Sequence, residues 1–163
     1  TLEGAIPDAQ IARLAERLME AGVDEVGLSD TTGYANPTQV KHIIRLVRGV
    51  AGKDAVQGIH LHNTRGLGLA NALAALEEGL NTLDSSLGGI GGCPFAPGAS
   101  GNIVTEDLVF MLEAMGLKTG IDLEKLVKVR EIVAAALPGE ELYGFVPDAG
   151  LPLGFQPATR AAA

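Results

Sequence analysis

The apolar side chains of this chain follow a helical spacing in several separate segments. In the first segment, PDAQIARLAERLMEAG, four residues form one apolar stripe: Ile11, Leu14, Leu18 and Met19. In the second, NPTQVKHIIRLVRG, Asn36 is a good N-cap and Pro37 suits the first helical position. The same spacing predicts further helices in GLGLANALAALEEG, TEDLVFMLEAMG and DLEKLVKVREIVAAAL, the last with Asp122 as its cap.

Short apolar segments separate these helices and predict strands in VDEVGLSD, AVQGIHLHN and NTLDSSL. Strands that alternate with helices predict a parallel α/β architecture. Three strands make a thin sheet with exposed edges, so we expect further strands from missing N-terminal sequence or from a partner. Residues 138–163 show no periodicity and contain several prolines, which predicts an extended or partly disordered tail.

Composition narrows the class of protein. The chain has 163 residues, of which 47% are hydrophobic and 20% charged, and this balance predicts a folded domain. The net charge of −8 argues against nucleic acid or an anionic membrane as a partner. No apolar run has the length of a membrane span. A single cysteine cannot form an internal disulfide, so we expect a reducing, cytoplasmic compartment.

Polar residues follow each predicted strand, at the end where parallel α/β folds gather functional groups. His60 and His62 are separated by one residue, so strand alternation puts both rings on one face. Two imidazoles on one face suit a divalent metal. Two unrelated polar residues near a loop would give the same pattern. His42 lies within a predicted helix and is expected to be solvated.

Other polar residues have both a chemical and a structural interpretation. Asn102 offers an amide oxygen suited to Mg²⁺ or Mn²⁺, but its residue type alone favours a turn or cap residue over a ligand. Asp30 is a candidate metal ligand, substrate contact or cap of the turn SDTTG. Glu106 and Asp107 lie in the first turn of a predicted helix, where the helix dipole favours acids.

The only cysteine, Cys93, lies in the glycine-rich stretch LGGIGGCPFAPGASGN. A free cysteine is usually a small buried hydrophobe, but the Gly-Gly-Cys-Pro setting favours a mobile loop over a strand end. A thiol on such a loop can donate or accept a proton once the loop closes. Redox sensing is an alternative, without a resolving cysteine in this chain.

Three longer motifs resemble one known family. HLHNTRGLGLANALAALEEG, LDSSLGGIGGCPFAPGASGN and VTEDLVFMLEAMGLKTGIDLEKL are similar to the 3-hydroxy-3-methylglutaryl-CoA lyases, which are DRE-TIM metallolyases. GLSDTTGYANP looks like the family's turn after strand six of the barrel. The Gly-Gly-Cys-Pro-aromatic-Ala loop that ends in Ser-Gly-Asn is highly specific for this family.

The resemblance implies a TIM barrel, an α/β fold in which residues 1–137 supply strands six to eight with their helices. This part is the C-terminal half of the lyase domain, and residues 138–163 form its tail. The resemblance also implies three ligands of Mg²⁺ or Mn²⁺: His60, His62 and Asn102. It makes Cys93 the catalytic thiol. It implies that three residues line the substrate pocket: Asp30, Thr31 and Glu106.

The reaction implied is the retro-Claisen cleavage of an acyl-CoA thioester, 3-hydroxy-3-methylglutaryl-CoA, to acetoacetate and acetyl-CoA. The full-length protein is expected to be a homodimer. The family's Asp-Arg-Glu motif, which supplies a fourth ligand and an arginine, has no counterpart here, and Asn63 stands where aspartate is common. The alternatives are therefore a lyase acting on another 3-hydroxyacyl-CoA, or an incomplete half-barrel without activity.

Overall fold

The computed structural model describes residues 4–92 and 101–159 of the chain. These residues fall into two compact units. The first unit comprises residues 4–84 with Gly92, and the second comprises residues 85–91 with residues 101–159. Each unit is described by itself below.

The first unit alternates helices and strands in the predicted order. Its elements are α1 (Asp8–Glu20), β1 (Leu28–Asp30), α2 (Pro37–Ala51), β2 (Gly58–Leu61), α3 (Gly68–Glu77) and β3 (Thr82–Asp84). The strands form one sheet in the order β1-β2-β3, and both pairs are parallel. The predicted parallel α/β architecture is confirmed.

Local sequence explains where α2 begins. Asn36 accepts a hydrogen bond from the backbone N–H of Gln39 at 3.1 Å, and the Gln39 side chain accepts one from the N–H of Asn36 at 3.1 Å. This reciprocal capping box satisfies two donors that a helix start leaves without intrahelical partners. Pro37 follows at the first helical position. The predicted cap is therefore confirmed.

The core of the first unit is apolar. Buried residues of α1, α2 and the segments before β1 and β2 form one cluster: Ala15, Val26, Val47 and Val56. The buried faces of α2 and β2 contribute Ile44 and Leu61, which are fully shielded from solvent. Removal of apolar surface from water accounts for the stability of this unit.

The second unit is less regular. It contains a 3₁₀ turn (Leu87–Gly89), followed by α4 (Thr105–Ala114), α5 (Leu123–Ala136) and the short α6 (Phe145–Ala149). The side chain of Asp122 accepts a hydrogen bond from the N–H of Lys125 at 3.2 Å, so Asp122 caps α5 as predicted.

The segment 138–159 differs from the extended tail that the sequence predicts. It contains α6, whose first N–H groups at Phe145 and Val146 are bound by the Asp107 carboxylate at 2.8–3.0 Å. Near its end, the N–H of Thr159 donates to Glu113 at 2.6 Å. These contacts join residues far apart in sequence, and local periodicity cannot reveal them. Among the described helices, none has the length and hydropathy needed to cross a membrane.

Candidate functional site

The two predicted histidines lie together in the first unit. Successive side chains of a strand point to opposite faces, so Ile59 and Leu61 are buried on one face of β2 and His60 and His62 point to the other. The Nε2 atoms of the two rings are 3.1 Å apart, and the rings meet edge to face with centroids 5.0 Å apart. His62 is buried, whereas the His60 side chain is 35% exposed. The predicted common face is thus what the structure shows.

Asp84 orients the exposed member of this pair. In the register of the sheet Asp84 lies directly opposite His60, and its Oδ1 is 2.5 Å from His60 Nδ1. A carboxylate only accepts, so Nδ1 is the donor of this contact; in the neutral ring Nε2 then carries the lone pair, and it faces His62 Nε2 at hydrogen-bond distance. This role of Asp84 was not predicted from the sequence, although strand register was the signal that could have revealed it.

Asp30 serves the turn after β1. Its Oδ1 accepts the N–H of Tyr34 and its Oδ2 accepts the N–H of Ala35, each at 3.0 Å. Of the three interpretations open from sequence, the structure shows the turn cap. The neighbouring Thr31 is exposed, and its hydroxyl lies 3.1 Å from that of Ser29.

The same turn is contacted by a cation that the sequence motifs did not assign. The guanidinium of Arg65 stacks over the Tyr34 ring at 3.6 Å and donates to the carbonyls of Thr32 and Gly33 at 3.2 Å. Arg65 therefore ties the loop after β2 to the turn after β1, at the end of the sheet where the histidines lie. The third histidine, His42, is on α2 and pairs with Asp8 at 2.7 Å in an exposed contact.

Asn102 belongs to the second unit, where its amide is held at one end only. Its Nδ2 donates to the carbonyl of Ile90 at 3.0 Å. Its Oδ1 is buried and has no hydrogen-bond partner among the described residues. A buried acceptor without a donor is uncommon and calls for an explanation such as a bound ion or water. An amide oxygen is a ligand that Mg²⁺ and Mn²⁺ accept, so the donor chemistry fits a hard divalent cation.

Glu106 and Asp107 are not solvated acids at a helix start. Glu106 is fully buried, accepts the N–H of Gly88 at 3.1 Å and pairs with Arg130 at 3.2 Å. Asp107 is 6% exposed and caps α6. The helix-dipole interpretation is therefore insufficient, because both carboxylates bind segments distant in sequence. In the second unit Glu106 holds the turn at Gly88, a role that the sequence did not predict.

Cys93 lies outside the described residues, so its predicted catalytic role remains a prediction. Among the residues that the structure describes, His, Cys, Asp and Glu side chains form no group of three or more suited to a metal ion. The predicted ligands His60 and His62 are in the first unit, and Asn102 is in the second.

Comparison with known proteins places these residues in a family. The fold is of the TIM-barrel type, and the family profile described as HMGL-like matches residues 1–133. The chain belongs to the HMGL-like family, which confirms the resemblance seen in its motifs.

Relatives and solved structures agree with this assignment. A hydroxymethylglutaryl-CoA lyase of Bacillus subtilis is 45% identical over 149 residues, covering 88% of this chain and 49% of the relative. An (R)-citramalyl-CoA lyase of Chloroflexus aurantiacus is 43% identical over 148 residues, covering 91% of this chain and 46% of the relative.

Among solved structures, an HMG-CoA lyase of Acinetobacter baumannii in complex with coenzyme A and 3-methylmalate is 45% identical. It matches with a TM-score of 0.85 over 95% of this chain and 50% of that one. The chain thus spans about half the length of the relatives that it matches.

Proposed function

We propose that this chain is the C-terminal part of a TIM-barrel lyase that cleaves 3-hydroxy-3-methylglutaryl-CoA to acetoacetate and acetyl-CoA with a divalent cation. The family membership and the lyase relatives support the reaction class. In this proposal residues 1–137 contribute strands six to eight of the barrel and residues 138–163 follow as its tail.

The observation that carries the proposal is the spacing of the two imidazoles. Their Nε2 atoms are 3.1 Å apart. Two adjacent ligands of an octahedral cation, each ~2.1 Å from the ion, lie about 3.0 Å apart. The His60–Asp84 contact leaves Nε2 as the coordinating atom of that ring. The pair therefore has the spacing of two neighbouring metal ligands.

We assign the third ligand to Asn102, because its buried Oδ1 has no donor among the described residues. The cation is Mg²⁺ or Mn²⁺ in this proposal, since an amide oxygen is a hard ligand. When bound, the ion supplies Lewis-acid chemistry: it lowers the pKa of the substrate's tertiary hydroxyl and orients the bond to be cleaved.

The remaining roles fall to side chains of this chain. Cys93 is proposed to move the proton as its loop excludes water. Asp30 and Thr31 are proposed to contact the substrate from the turn after β1, where Asp30 also holds two backbone N–H groups. Glu106 is proposed to shape the pocket by holding the turn at Gly88.

The open edge of the sheet supports the proposed position in a barrel. Among the described strands, β1 is hydrogen-bonded on one side only, to β2. Beside it lies an apolar groove of about 480 Å³ between α1, β1 and α2, lined by residues such as Ile11, Leu14, Leu28 and Ile43. A closed barrel has no such edge, so we propose that a further parallel strand occupies this groove in the active enzyme.

A second substrate is favoured by one specific observation, the 43% identity to a citramalyl-CoA lyase. The two thioesters differ in the ketone that cleavage releases: acetoacetate from 3-hydroxy-3-methylglutaryl-CoA and pyruvate from citramalyl-CoA. An assay that detects both ketones beside acetyl-CoA separates the two substrates.

The experiment compares the chain alone with the chain combined with an N-terminal barrel segment of a family member. We expect cleavage with Mg²⁺ or Mn²⁺ only in the combination, with acetoacetate as the ketone. Release of pyruvate alone would identify citramalyl-CoA, and not 3-hydroxy-3-methylglutaryl-CoA, as the substrate. Absence of both ketones from a folded combination would favour the half-barrel without activity.

Replacing the thiol tests its assigned role within that combination. Cys93→Ser is expected to lower turnover by about 10²–10⁴-fold, the usual contribution of a general acid or base. The affinity for Mn²⁺ should stay unchanged, because Cys93 is assigned to proton transfer and not to coordination. An unchanged turnover would remove the thiol from the mechanism.

The partners and compartment complete the proposal. Besides the acyl-CoA thioester, the partner is a second copy of the full-length protein in a homodimer. The compartment is the cytoplasm, because the single cysteine is compatible with a reducing environment. Lyases described as cytoplasmic occur among the relatives, beside mitochondrial ones.

A further inference from the structure

Arg130 is a cation inside the second unit that neither the motifs nor the proposed chemistry uses. Its side chain, on α5, is 15% exposed. Nη1 donates to Glu106 Oε1 at 3.2 Å and to the carbonyl of Tyr143 at 2.6 Å, and Nη2 donates to the carbonyl of Leu142 at 2.7 Å. One guanidinium thus joins α4, α5 and the segment before α6.

The groups that Arg130 holds meet at a single peptide of the 3₁₀ turn. The Glu106 carboxylate accepts the N–H of Gly88 at 3.1 and 3.2 Å. The carbonyl of the same Gly88 accepts the N–H of Tyr143 at 2.7 Å. Gly88 has φ +60, and a Cβ there would lie 2.9 Å from Leu142, so the turn and the segment pack without room for a side chain. The turn is therefore held from both sides by partners of Arg130.

The residues directly after this 3₁₀ turn bind the side-chain amide of Asn102. The carbonyl of Ile90, directly after the turn, accepts the Asn102 Nδ2 at 3.0 Å and the Ser86 hydroxyl at 2.6 Å. At Gly91, with φ +103, a Cβ would lie 2.8 Å from that Nδ2. The backbone of the turn thus fixes which way the amide points, and with it the direction of the buried Oδ1.

We propose that Arg130 is a positioning residue for the amide oxygen of Asn102. Arg130 neutralises Glu106 and binds the carbonyls of Leu142 and Tyr143. Glu106 and Tyr143 then hold the 3₁₀ turn, and the residues that follow this turn orient the Asn102 amide. That the oriented amide oxygen binds a cation rests on the proposed function. That Arg130 orients it is a claim about the metal-free chain.

The geometry distinguishes this role from a general contribution to stability. A guanidinium presents several donors in a fixed plane, and Arg130 uses them on three acceptors at once. A lysine keeps the charge opposite Glu106 but lacks that planar fork. Arg130→Lys should therefore preserve the fold while loosening the turn, and Arg130→Met should loosen it further.

The test measures hydrogen exchange of asparagine side-chain amides by NMR after selective [¹⁵N]asparagine labelling, which keeps the spectrum simple in any oligomer of the chain. Asn71 is the internal reference, because its Nδ2 donates to the carbonyl of Ala35 at 3.0 Å in the first unit. Lys128→Met is the matched control, since Lys128 is exposed on the same helix as Arg130.

We expect the Asn102 Nδ2 protons to exchange about tenfold faster in Arg130→Lys than in the parent chain, and faster still in Arg130→Met. Asn71 should be unchanged in Arg130→Lys and should accelerate less than Asn102 in Arg130→Met, and Lys128→Met should change neither amide. An Asn102 exchange rate that stays at the parent value in Arg130→Lys, or that rises only in step with that of Asn71, would overturn the proposal.

A Mn²⁺ titration followed by electron paramagnetic resonance separates this proposal from the proposed function. Weaker binding in Arg130→Lys than in Lys128→Met would support the link between the turn and the cation. If the parent chain binds Mn²⁺ and Arg130→Lys binds it equally well, Arg130 does not position a ligand. Failure of the parent chain to bind Mn²⁺ would count against the proposed metal site, while the exchange rates still decide the role of Arg130.

Discussion

The two units of the molecule are stabilised in different ways. In the first unit, amphipathic helices pack on a parallel sheet around an apolar cluster that includes Val47 and Val56. In the second unit, three buried acids of α4 accept hydrogen bonds from distant segments: Glu106, Asp107 and Glu113. The first unit thus depends on apolar burial, whereas the second combines buried apolar side chains such as Ile103 and Leu108 with satisfied buried carboxylates. Variants that remove one kind of interaction should reveal this difference.

The largest expected loss of stability follows from Arg130→Met. The variant leaves the fully buried Glu106 carboxylate without its cation, and breaking a buried pair in this way costs about 4 kcal/mol. Urea unfolding measures the free energy change, with Lys128→Met as the control expected to cost under about 0.5 kcal/mol. Equal costs for the two variants would show that the second unit does not depend on its buried ion pair.

A smaller loss is expected from Ile44→Ala in the first unit. Ile44 is fully buried on α2, and truncating a buried isoleucine to alanine costs about 3 kcal/mol through lost apolar burial and the cavity that remains. Because no charge is involved, the cost should be the same at pH 7 and at pH 4. A cost that changes strongly between these pH values would contradict the apolar account of this unit.

The smallest change, and the one most sensitive to pH, is expected from Glu113→Gln. Burial disfavours the charged form of Glu113, but hydrogen bonds from Thr119 and Thr159 outweigh it and lower its pKa to about 2. A lowered pKa stabilises the fold above the ordinary value of about 4.3, and this contribution is lost as the pH falls toward 2.

Glu113→Gln should therefore cost about 2 kcal/mol at pH 7, the loss of hydrogen bonds to a charged group. The difference from the parent chain should shrink as the pH falls from about 4 to 2. Urea unfolding at several pH values measures it, with Ile44→Ala as the variant whose cost is independent of pH. A constant cost for both variants would contradict the contrast between the units.

The same contrast explains how far the sequence predicts the structure. Helix α2 begins where Asn36 and Pro37 predict it, and His60 and His62 share a face, because these features depend on neighbours within a few residues. Helix α6 and the contacts of Arg130 were not predicted. They join residues 12 to 39 positions apart through hydrogen bonds, and such bonds leave no periodic pattern in the sequence.

The candidate site divides in the same way. Strand alternation was enough to pair the histidines, and strand register could have revealed Asp84. The Asn102 amide contacts a turn that is held by residues from two other segments, and the residue type alone, which favoured a turn or cap over a ligand, could not reveal this. For Asp30, the structure shows the turn cap, because both carboxylate oxygens bind backbone N–H groups, while its contact with the substrate stays a prediction.

The most direct test of the account is the affinity of the chain for Mn²⁺ in three forms: the parent, His62→Ala and His42→Ala. His42 is the matched control, because it is a histidine on α2 whose partner is Asp8. We expect weak binding to one site in the parent, since none of the three proposed ligands is anionic. We also expect at least about a tenfold loss in His62→Ala and no change in His42→Ala. Equal affinity in the parent and in His62→Ala would contradict the proposal that the histidine pair holds a cation.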